Sequence, residues 1–453
     1  MLGRPYDRGV IPIVTPEEMA AVDAAAPEPV EVLIDRAGAA VAWAARRRLG
    51  GTYGRRVVVL AGKGNNGADG RVAAERLRRW GAHVIEVDAA RAPAELPRCD
   101  LVIDAAYGTG LTRAYAPPHT SDPVLAVDIA SGVDGTTGEI PGGALEATET
   151  VTFQALKPGL VLQPGRARCG EIVIADLGLD VGRASAHLVT ATDVSVWLPA
   201  RATDAHKWRS ACWVIAGAPG MSGAGHLCAG AAARAGAGYV RHSAPGGEPQ
   251  SPIEAVGYTL PPTGWGRELG DAHRFGALVL GPGLGREPDT LRSVRDAISS
   301  TECPVVVDAD GLSALVDHRP AEPHRLVLTP HDGEYETLLG RRPGPDRIAA
   351  ARNAAASLGA TVLLKGPTTV IADPEGSTLV TTTGDQRLAS AGTGDVLAGI
   401  IGALLAQGAT PVHAAAMGAW IHGRAAERAP RHGMVASDLL TVLPEVLDAS
   451  HLG

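Results

Sequence analysis

The stretch Arg56–Trp80, RVVVLAGKGNNGADGRVAAERLRRW, decides the fold. After its first residue the segment Arg56–Ala61 is wholly apolar and rich in valine, which is the composition of a buried strand, and it runs straight into a glycine-rich loop, Gly62–Gly70. Apolar residues then recur at helical spacing over Asp69–Trp80. Strand, glycine loop and helix in that order open a βαβ unit. Glycines let backbone N–H groups approach an anion, and the helix that follows offers the positive end of its dipole. The glycine pattern is not the usual GxGxxG, and its double asparagine is the more specific clue. Asn65 and Asn66 can present carbonyl oxygens to a cation or amide groups to a ligand, while Gly67 and Gly70 leave the loop backbone open. A tight strand-to-helix turn with Asn in the left-handed conformation is the alternative.

Outward from this stretch the same alternation continues. Helical patterns at Glu17–Ala26 and Val30–Leu49 precede it, and strands are expected at His83–Val87, Leu101–Asp104, Val124–Asp128, Thr150–Phe153 and Glu171–Ala175. This order implies a doubly wound α/β sheet with ligands at the carboxyl ends of its strands. DLVIDAAYGTG (Asp100–Gly110) and VLAVDIASGVDGTTGEI (Val124–Ile140) each end a strand on an aspartate before a loop of small residues. Asp104, Asp128 and Ser131 are therefore expected to converge with Asn66. Any one of them alone reads as a loop cap, whereas three in register after successive strands favour a site, in which a carboxylate can act as acid or base.

Periodicity is lost over Gly178–Ala205, which places a domain boundary near residue 199. A second α/β series follows, with strands at Cys212–Ala216, Ala277–Leu280, Val305–Asp308, Leu326–Leu328 and Thr361–Leu364. Helices are expected over Ala224–Ala235 and from Gly394, Pro411 and Ser437, and Ser243–Gly266 reads as a surface loop. SAGTGDVLAG (Ser390–Gly399) sets Gly392 and Gly394 just before Asp395 at a helix start. That arrangement aims backbone N–H groups at a phosphoryl oxygen and holds a carboxylate beside an attacking hydroxyl. No Walker A motif occurs. VLGPGLG (Val279–Gly285), VVVDADGLSAL (Val305–Leu315) and TPHDGEYETLLG (Thr329–Gly340) add loops after strands, and His331 reads as a ligand contact, a core histidine or a helix cap.

Composition narrows the partners. At 453 residues the chain is long enough for two cores. A net charge of −8 argues against nucleic acid, which requires a basic stripe. The five cysteines are scattered, without CxxC or metal-ligand spacing, and fit a reducing cytoplasm. No signal peptide and no membrane-length apolar run is apparent, so no membrane partner is expected. Arginine heavily outnumbers lysine, and Lys63, Lys157, Lys207 and Lys365 all lie in Gly- or Pro-marked or tightly patterned segments. A compact ammonium can be needed where lysine persists, most clearly at Lys365.

Taken together, the motifs GKGNNGADG, DAAYGTG, DIASGVDGTTG, TVTFQALKPG, GPGLG, VVDADGL, LTPHDGE, LLKGPTT and GTGDVLAG resemble those of the bifunctional NAD(P)H-hydrate repair enzymes over nearly the whole chain. The resemblance implies an N-terminal Rossmann-like epimerase domain over 1–198 and a C-terminal ribokinase-like dehydratase domain over 199–453. The implied substrates are NADHX and NADPHX, with ADP or ATP as co-substrate, and a homo-oligomer is expected. By the resemblance, the epimerase's hydrate-binding loop maps to Asn65, Asn66, Gly67, Ala68 and Asp69. Further hydrate contacts map to Gly108, Thr109, Gly110, Leu111, Thr112, Arg113, Ala114 and Asp128, and K⁺ ligands to Asn66, Asp104 and Ser131. In the second half, hydrate contacts map to Ala224, Gly283, His331 and Asp395. The nucleotide, with Mg²⁺, maps to Lys365, Gly366, Pro367, Thr368, Thr369 and Gly394. Asp128 and Asp395 are the implied catalytic residues. Three departures stand out: Ala68 where the family loop has glycine, Ala130 where it has proline, and EVLIDRAG in place of LMExAG. Two rival readings are a small-molecule kinase on the same ribokinase-like fold, and a first half that only senses nucleotide.

Overall fold

The computed structural model describes residues 10–111 and 113–451, and Thr112, one of the expected hydrate contacts, lies outside the described residues. The chain divides into two compact units, Met1–His187 and Leu188–Gly453. In the first unit, helices α1 (Pro16–Ala24) and α2 (Val30–Leu49) precede strand β1 (Arg56–Ala61), helix α3 (Asn65–Arg79) and strand β2 (His83–Asp88). Strands β3 (Leu101–Ala105), β4 (Val124–Val127), β5 (Glu149–Phe153) and β6 (Glu171–Ala175) complete a six-stranded sheet in the order β2-β1-β3-β4-β5-β6. Every pairing is parallel. Val57, Val58, Val59 and Leu60 are fully buried, as a strand covered on both faces requires.

The chain runs from β1 to β2 on one side and then crosses to β3 on the other. The strand order therefore reverses between β1 and β3, and the loops leaving their carboxyl ends diverge into a crevice. Thr15 starts α1 with a full capping box, its hydroxyl accepting from Glu18 N and Glu18 reaching back to Thr15 N, with Pro16 at the first helical position. The helix expected over Asp69–Trp80 begins earlier, at Asn65 with Gly64 as its N-cap, because the loop glycines are themselves helical.

In the second unit, strands β7 (Ala211–Ile215), β8 (Tyr239–Ser243), β9 (Ala255–Gly257), β10 (Ala277–Leu280), β11 (Val305–Val307), β12 (Leu326–Leu328), β13 (Thr361–Leu364), β14 (Thr369–Ala372) and β15 (Thr378–Thr381) lie in the order β15-β14-β13-β12-β11-β10-β7-β8-β9. All pairings are parallel except those of β14 with β13 and β15, which are antiparallel. Here the order reverses between β7 and β10. Helices α6 (Ser222–Arg234) and α10 (Thr393–Ala406) pack against each other, and their small residues have a steric cause. A Cβ at Gly399 would stand 2.2 Å from the Cys228 carbonyl oxygen. Among the described residues no helix is long and apolar enough to cross a membrane, and all five cysteines are free.

The aperiodic segment expected over Gly178–Ala205 contains a short helix, α5 (Ala191–Trp197), opened by a Thr190–Asp193 capping box. The N–H of Val189 donates to the Val380 carbonyl at 2.9 Å, and the Trp197 ring stacks on His413 with centroids 4.3 Å apart. The division thus falls at His187/Leu188, ahead of residue 199. Seven helical residues are too few for a 3.6-residue period to register. The expected surface loop Ser243–Gly266 likewise holds β9, which pairs with β8.

Candidate active sites

A cavity of about 670 Å³ opens in the first unit at the β1/β3 crevice. The expected residues Asn65, Asn66, Asp69, Gly108, Thr109, Gly110, Leu111, Arg113 and Asp128 line it, together with Asp23 from α1 and Lys157. Leu33, Ile34, Phe153 and Leu177 supply apolar wall. Gly67, Ala68 and Ala114 are not among its lining residues. Gly67 serves packing and does not open the loop: a Cβ there would lie 2.0 Å from the Gly62 carbonyl oxygen. Gly70 behaves alike, its absent Cβ falling 2.5 Å from that of Ala105.

Asp128 follows β4 with φ of 64°, a left-handed conformation that a residue with a side chain adopts at some expense, and such strain concentrates at functional positions. Its Oδ1 accepts from Lys157 Nζ at 2.6 Å and from Thr152 Oγ1 at 3.0 Å. Lys157 Nζ also donates to Thr152 Oγ1 and to the Phe153 carbonyl, both at 2.9 Å, so its three protons have three acceptors. The lysine is 2% exposed. Asp69 is the opposite case. No hydrogen bond or ion pair to its carboxyl occurs among the described residues. Burial, then the neighbouring Asp128 and Asp23 charges, push it up to about 8.

Behind the cavity, Asp104 is fully buried, and burial holds its carboxyl above the usual carboxylate range. Ser131 binds it twice, through Oγ to Oδ1 at 2.6 Å and through the backbone N–H to Oδ2 at 2.9 Å. Ser131 Oγ also accepts from Tyr107 N at 2.8 Å, the residue before Gly108. Against Gly108 lies the Asn66 side chain, 3.5 Å from where a Cβ would sit, and both polar atoms of that amide are buried without a partner. An orphaned buried amide is costly unless something else binds it. The Asn66 carbonyl, the Asp104 carboxyl and the Ser131 hydroxyl are the kind of oxygen donors that a hard cation such as K⁺ takes.

In the second unit, the loops at the β7/β10 reversal are tied together: Gly217 N donates to the Pro282 carbonyl and Ala218 N to that of Gly283, each at 2.8 Å. Ala224 and Gly283 meet there, a Cβ at Gly283 falling 3.0 Å from the Ala224 Cβ. Further along the same sheet edge, Lys365 Nζ lies 2.9 Å from Asp308 Oδ1 and 3.5 Å from Glu334 Oε2. Burial alone would push the ammonium down, but the two carboxylates outweigh it and hold it above the ordinary lysine value. Thr329 Oγ1 fixes Asp308 with a 2.6 Å bond to Oδ1.

Gly392 opens α10 at φ 90°, a turn that glycine makes freely. It delivers Gly394 to the Lys365–Asp308 pair: a Cβ at Gly394 would be 3.8 Å from Lys365 Nζ and 4.0 Å from Asp308 Oδ2. Beside it, burial and the Asp308 charge push Asp395 up to about 7, near the pH at which a carboxylate makes an effective base. Lys365–Thr368 forms the turn of the β13/β14 hairpin and Thr369 opens β14, with Arg347 Nη2 donating to the Lys365 carbonyl at 2.8 Å. Gly366 backs onto that guanidinium, and Thr368 is buried. His331 is a helix cap, its Nδ1 accepting from Gly333 N at 3.0 Å and Glu334 N at 3.3 Å. Sequence reasoning marked Lys157 as a lysine retained in a chain that otherwise uses arginine without giving it a role, and it passed over Asp308 and Glu334.

Comparison with known proteins agrees with this two-site anatomy. Residues 212–447 match the NAD(P)H-hydrate dehydratase family, and residues 30–96 and 85–159 match the YjeF-related protein N-terminus. The bifunctional NAD(P)H-hydrate repair enzyme Nnr of Moorella thermoacetica is 36% identical, with 96% of each chain covered. The chain belongs to the bifunctional NAD(P)H-hydrate repair enzymes. Another relative carrying that name, from Mycobacterium tuberculosis strain H37Rv, is 39% identical over 82% of each chain. Among solved structures, the ADP/ATP-dependent NAD(P)H-hydrate dehydratase of Bacillus subtilis, co-crystallised with ATP/Mg²⁺, aligns with 58% of this repair enzyme and 97% of its own chain, at 29% identity and a TM-score of 0.51. A ribokinase-like protein of Enterococcus faecalis gives a TM-score of 0.53 at 19% identity, covering 59% of this chain and 98% of its own, and speaks for the fold alone.

Proposed function

We propose that the first unit interconverts the R and S hydrates of NADH and NADPH, and that the second unit dehydrates the S form at the expense of ADP or ATP, releasing AMP or ADP and phosphate. The observation that carries the reading is Asp395, a half-buried carboxyl poised near neutrality at the start of α10, beside Gly394, Lys365 and Asp308. The hydrated ring bears a hydroxyl at C6, a poor leaving group. Asp395 takes the proton of that hydroxyl as its oxygen attacks the terminal phosphoryl group, and the N–H groups at the start of α10 stabilise the charge that develops. Lys365, held by Asp308 and Glu334, would neutralise phosphate oxygens of the nucleotide. The ring nitrogen's lone pair then expels phosphate from C6, and loss of a C5 proton restores the dihydronicotinamide.

Asp308 is already engaged by Lys365 and Thr329, which fits a Mg²⁺ that arrives on the nucleotide's own phosphates. Bound there, Mg²⁺ would draw off phosphoryl charge. In the first unit, Asn66, Asp104 and Ser131 would hold K⁺, whose charge would favour electron-rich groups of the hydrate, while Asp128 handles a proton. Incubation of mixed hydrate epimers with ADP or ATP tests the reading. Complete recovery of NADH absorbance with release of inorganic phosphate is expected. Accumulation of a stable phosphorylated product would instead mark a small-molecule kinase.

A further inference from the structure

Two carboxyl groups of opposite character line the first unit's cavity. Asp128 has a dedicated cation, with Lys157 Nζ and Thr152 Oγ1 both bound to Oδ1, which leaves Oδ2 to accept a proton. Asp69 is 6% exposed and lines the same cavity, yet no cation, hydroxyl or N–H is bound to its carboxyl among the described residues.

Charged groups on every neighbouring element leave it so. On its own helix, Arg71 is committed to the Gly62 carbonyl at 2.7 Å, and Arg76 to Asp35. From α2 the cavity receives Leu33, Ile34 and Ala37, while Arg36 is bound to Glu28 and the Leu177 carbonyl. From α1 comes Asp23, and after β4 comes Asp128, both carboxylates whose charges disfavour ionisation of Asp69. Lys157 is saturated by its three acceptors, and Arg113 donates to the Tyr107 hydroxyl. Environments that separate two carboxyl groups in this way divide acid from base.

We propose that Asp69 is the proton donor of the epimerisation, working with Asp128 as the acceptor in the same cavity. The inference rests on the epimerase reading of the first unit. The Asp69 carboxyl gives its proton to the C6 hydroxyl of the hydrate. The C6–O bond breaks, water leaves, and the ring nitrogen's lone pair forms an N1=C6 double bond. A water molecule then adds to C6 from the opposite face, its lone pair making the new C6–O bond while the π pair returns to nitrogen. The proton shed by that water passes to Asp128, and exchange with solvent returns both carboxyls to their starting states. No oxidant or further reactant is needed. A proton carried by Asp69 near neutrality, consistent with its position at about 8, is the state the step requires.

The test is the rate of R-to-S conversion by the full chain, its Asp69→Asn variant and its Asp69→Glu variant, with K⁺ saturating, from about pH 5 to about pH 10. In wild type the rate should fall as pH rises through about 8. Asp69→Asn should lower kcat by on the order of 10²–10⁴, remove that alkaline limb and leave KM within about threefold. Asp69→Glu should restore part of the rate with the limb at a shifted pH. A kcat in Asp69→Asn within about threefold of wild type, or an alkaline limb unmoved in both variants, overturns the assignment. A far-ultraviolet circular dichroism spectrum matching wild type checks that the chain, first unit included, is folded; should Asp69→Asn fail to fold, the displacement of the limb in Asp69→Glu decides. A wild-type chain that leaves the R form untouched overturns the epimerase reading itself.

Discussion

Lys157 Nζ stands 2.6 Å from Asp128 Oδ1 across 29 residues of sequence, and this contact organises the first unit's site. The lysine is almost without solvent, so its charge is tolerable only because Asp128, Thr152 and the Phe153 carbonyl take all three of its protons. In turn it holds the Asp128 carboxyl in a fixed orientation.

Removing the cation should therefore damage both stability and chemistry. Lys157→Met is expected to destabilise the first unit by on the order of 3 kcal/mol and to lower epimerisation by at least about 10²-fold. Lys157→Arg should not rescue it, because a planar guanidinium cannot match three acceptors arranged around a point charge. Urea unfolding and epimerisation assays check this; wild-type epimerisation in Lys157→Arg would show the ammonium to be dispensable.

The raised carboxyl of Asp69 also carries a stability signature. A carboxyl lifted from its ordinary value to about 8 keeps, in the folded state, a proton that the unfolded chain has already lost. Stability attached to this group is thus full at acid pH and is lost as pH rises from about 4 towards 8. Asp69→Asn should remove that dependence and stabilise the protein at pH 8 by on the order of 3 kcal/mol while epimerisation falls. A variant both less active and less stable at pH 8 would contradict the uncompensated burial of this group.

For the second unit, Asp395 must lose its proton to act as a base, so dehydration should rise with pH through about 7. Asp395→Asn should flatten that rise and reduce the rate by on the order of 10²–10⁴ without affecting epimerisation. NADH recovery measured from acid to neutral pH is the check, and a flat wild-type profile would remove Asp395 from the role.

Asp104 and Asp128 should separate in their response to potassium. Under the proposed reading Asp104, locked to Ser131, holds K⁺ together with Asn66, so Asp104→Asn should raise the half-saturating K⁺ concentration and leave some turnover at saturation. Asp128→Asn should abolish epimerisation at every K⁺ concentration. Superimposable K⁺ titration curves for the two variants would mean the roles are not divided this way.

Much of this arrangement is legible in the sequence because local patterns dictate it. The valine run Val57–Val59 has no stable place except inside a sheet, and an aspartate closing such a run before small residues has to emerge at the sheet edge. Asp104 and Asp128 could be picked out on that basis, Asn66 by the double asparagine after a glycine loop, and Asp395 by its place behind two glycines at a helix start. What escaped depends on contacts distant in sequence. Lys157 has no meaning until Asp128 and Thr152 fold against it, and Asp308 acquires its place only when Lys365, 57 residues later, reaches it. Strands β14 and β15, four residues each and set among glycine- and proline-marked turns, do not stand out from a loop. Gly67 reads as an open ligand approach in sequence but is a packing contact, since only coordinates reveal the Gly62 carbonyl against it.

The most direct test of one chain working at two sites is complementation in trans with mixed hydrate epimers and ADP or ATP. Asp128→Asn alone should convert the S form and stall with the R form left over, beyond what spontaneous interconversion supplies, and Asp395→Asn alone should form NADH at least about 10²-fold more slowly than wild type. Mixed together, the two variants should carry the reaction to completion. Full consumption of both epimers by the Asp128→Asn chain at the wild-type rate, or NADH formed at the wild-type rate by the Asp395→Asn chain alone, would contradict the division of labour between the two units.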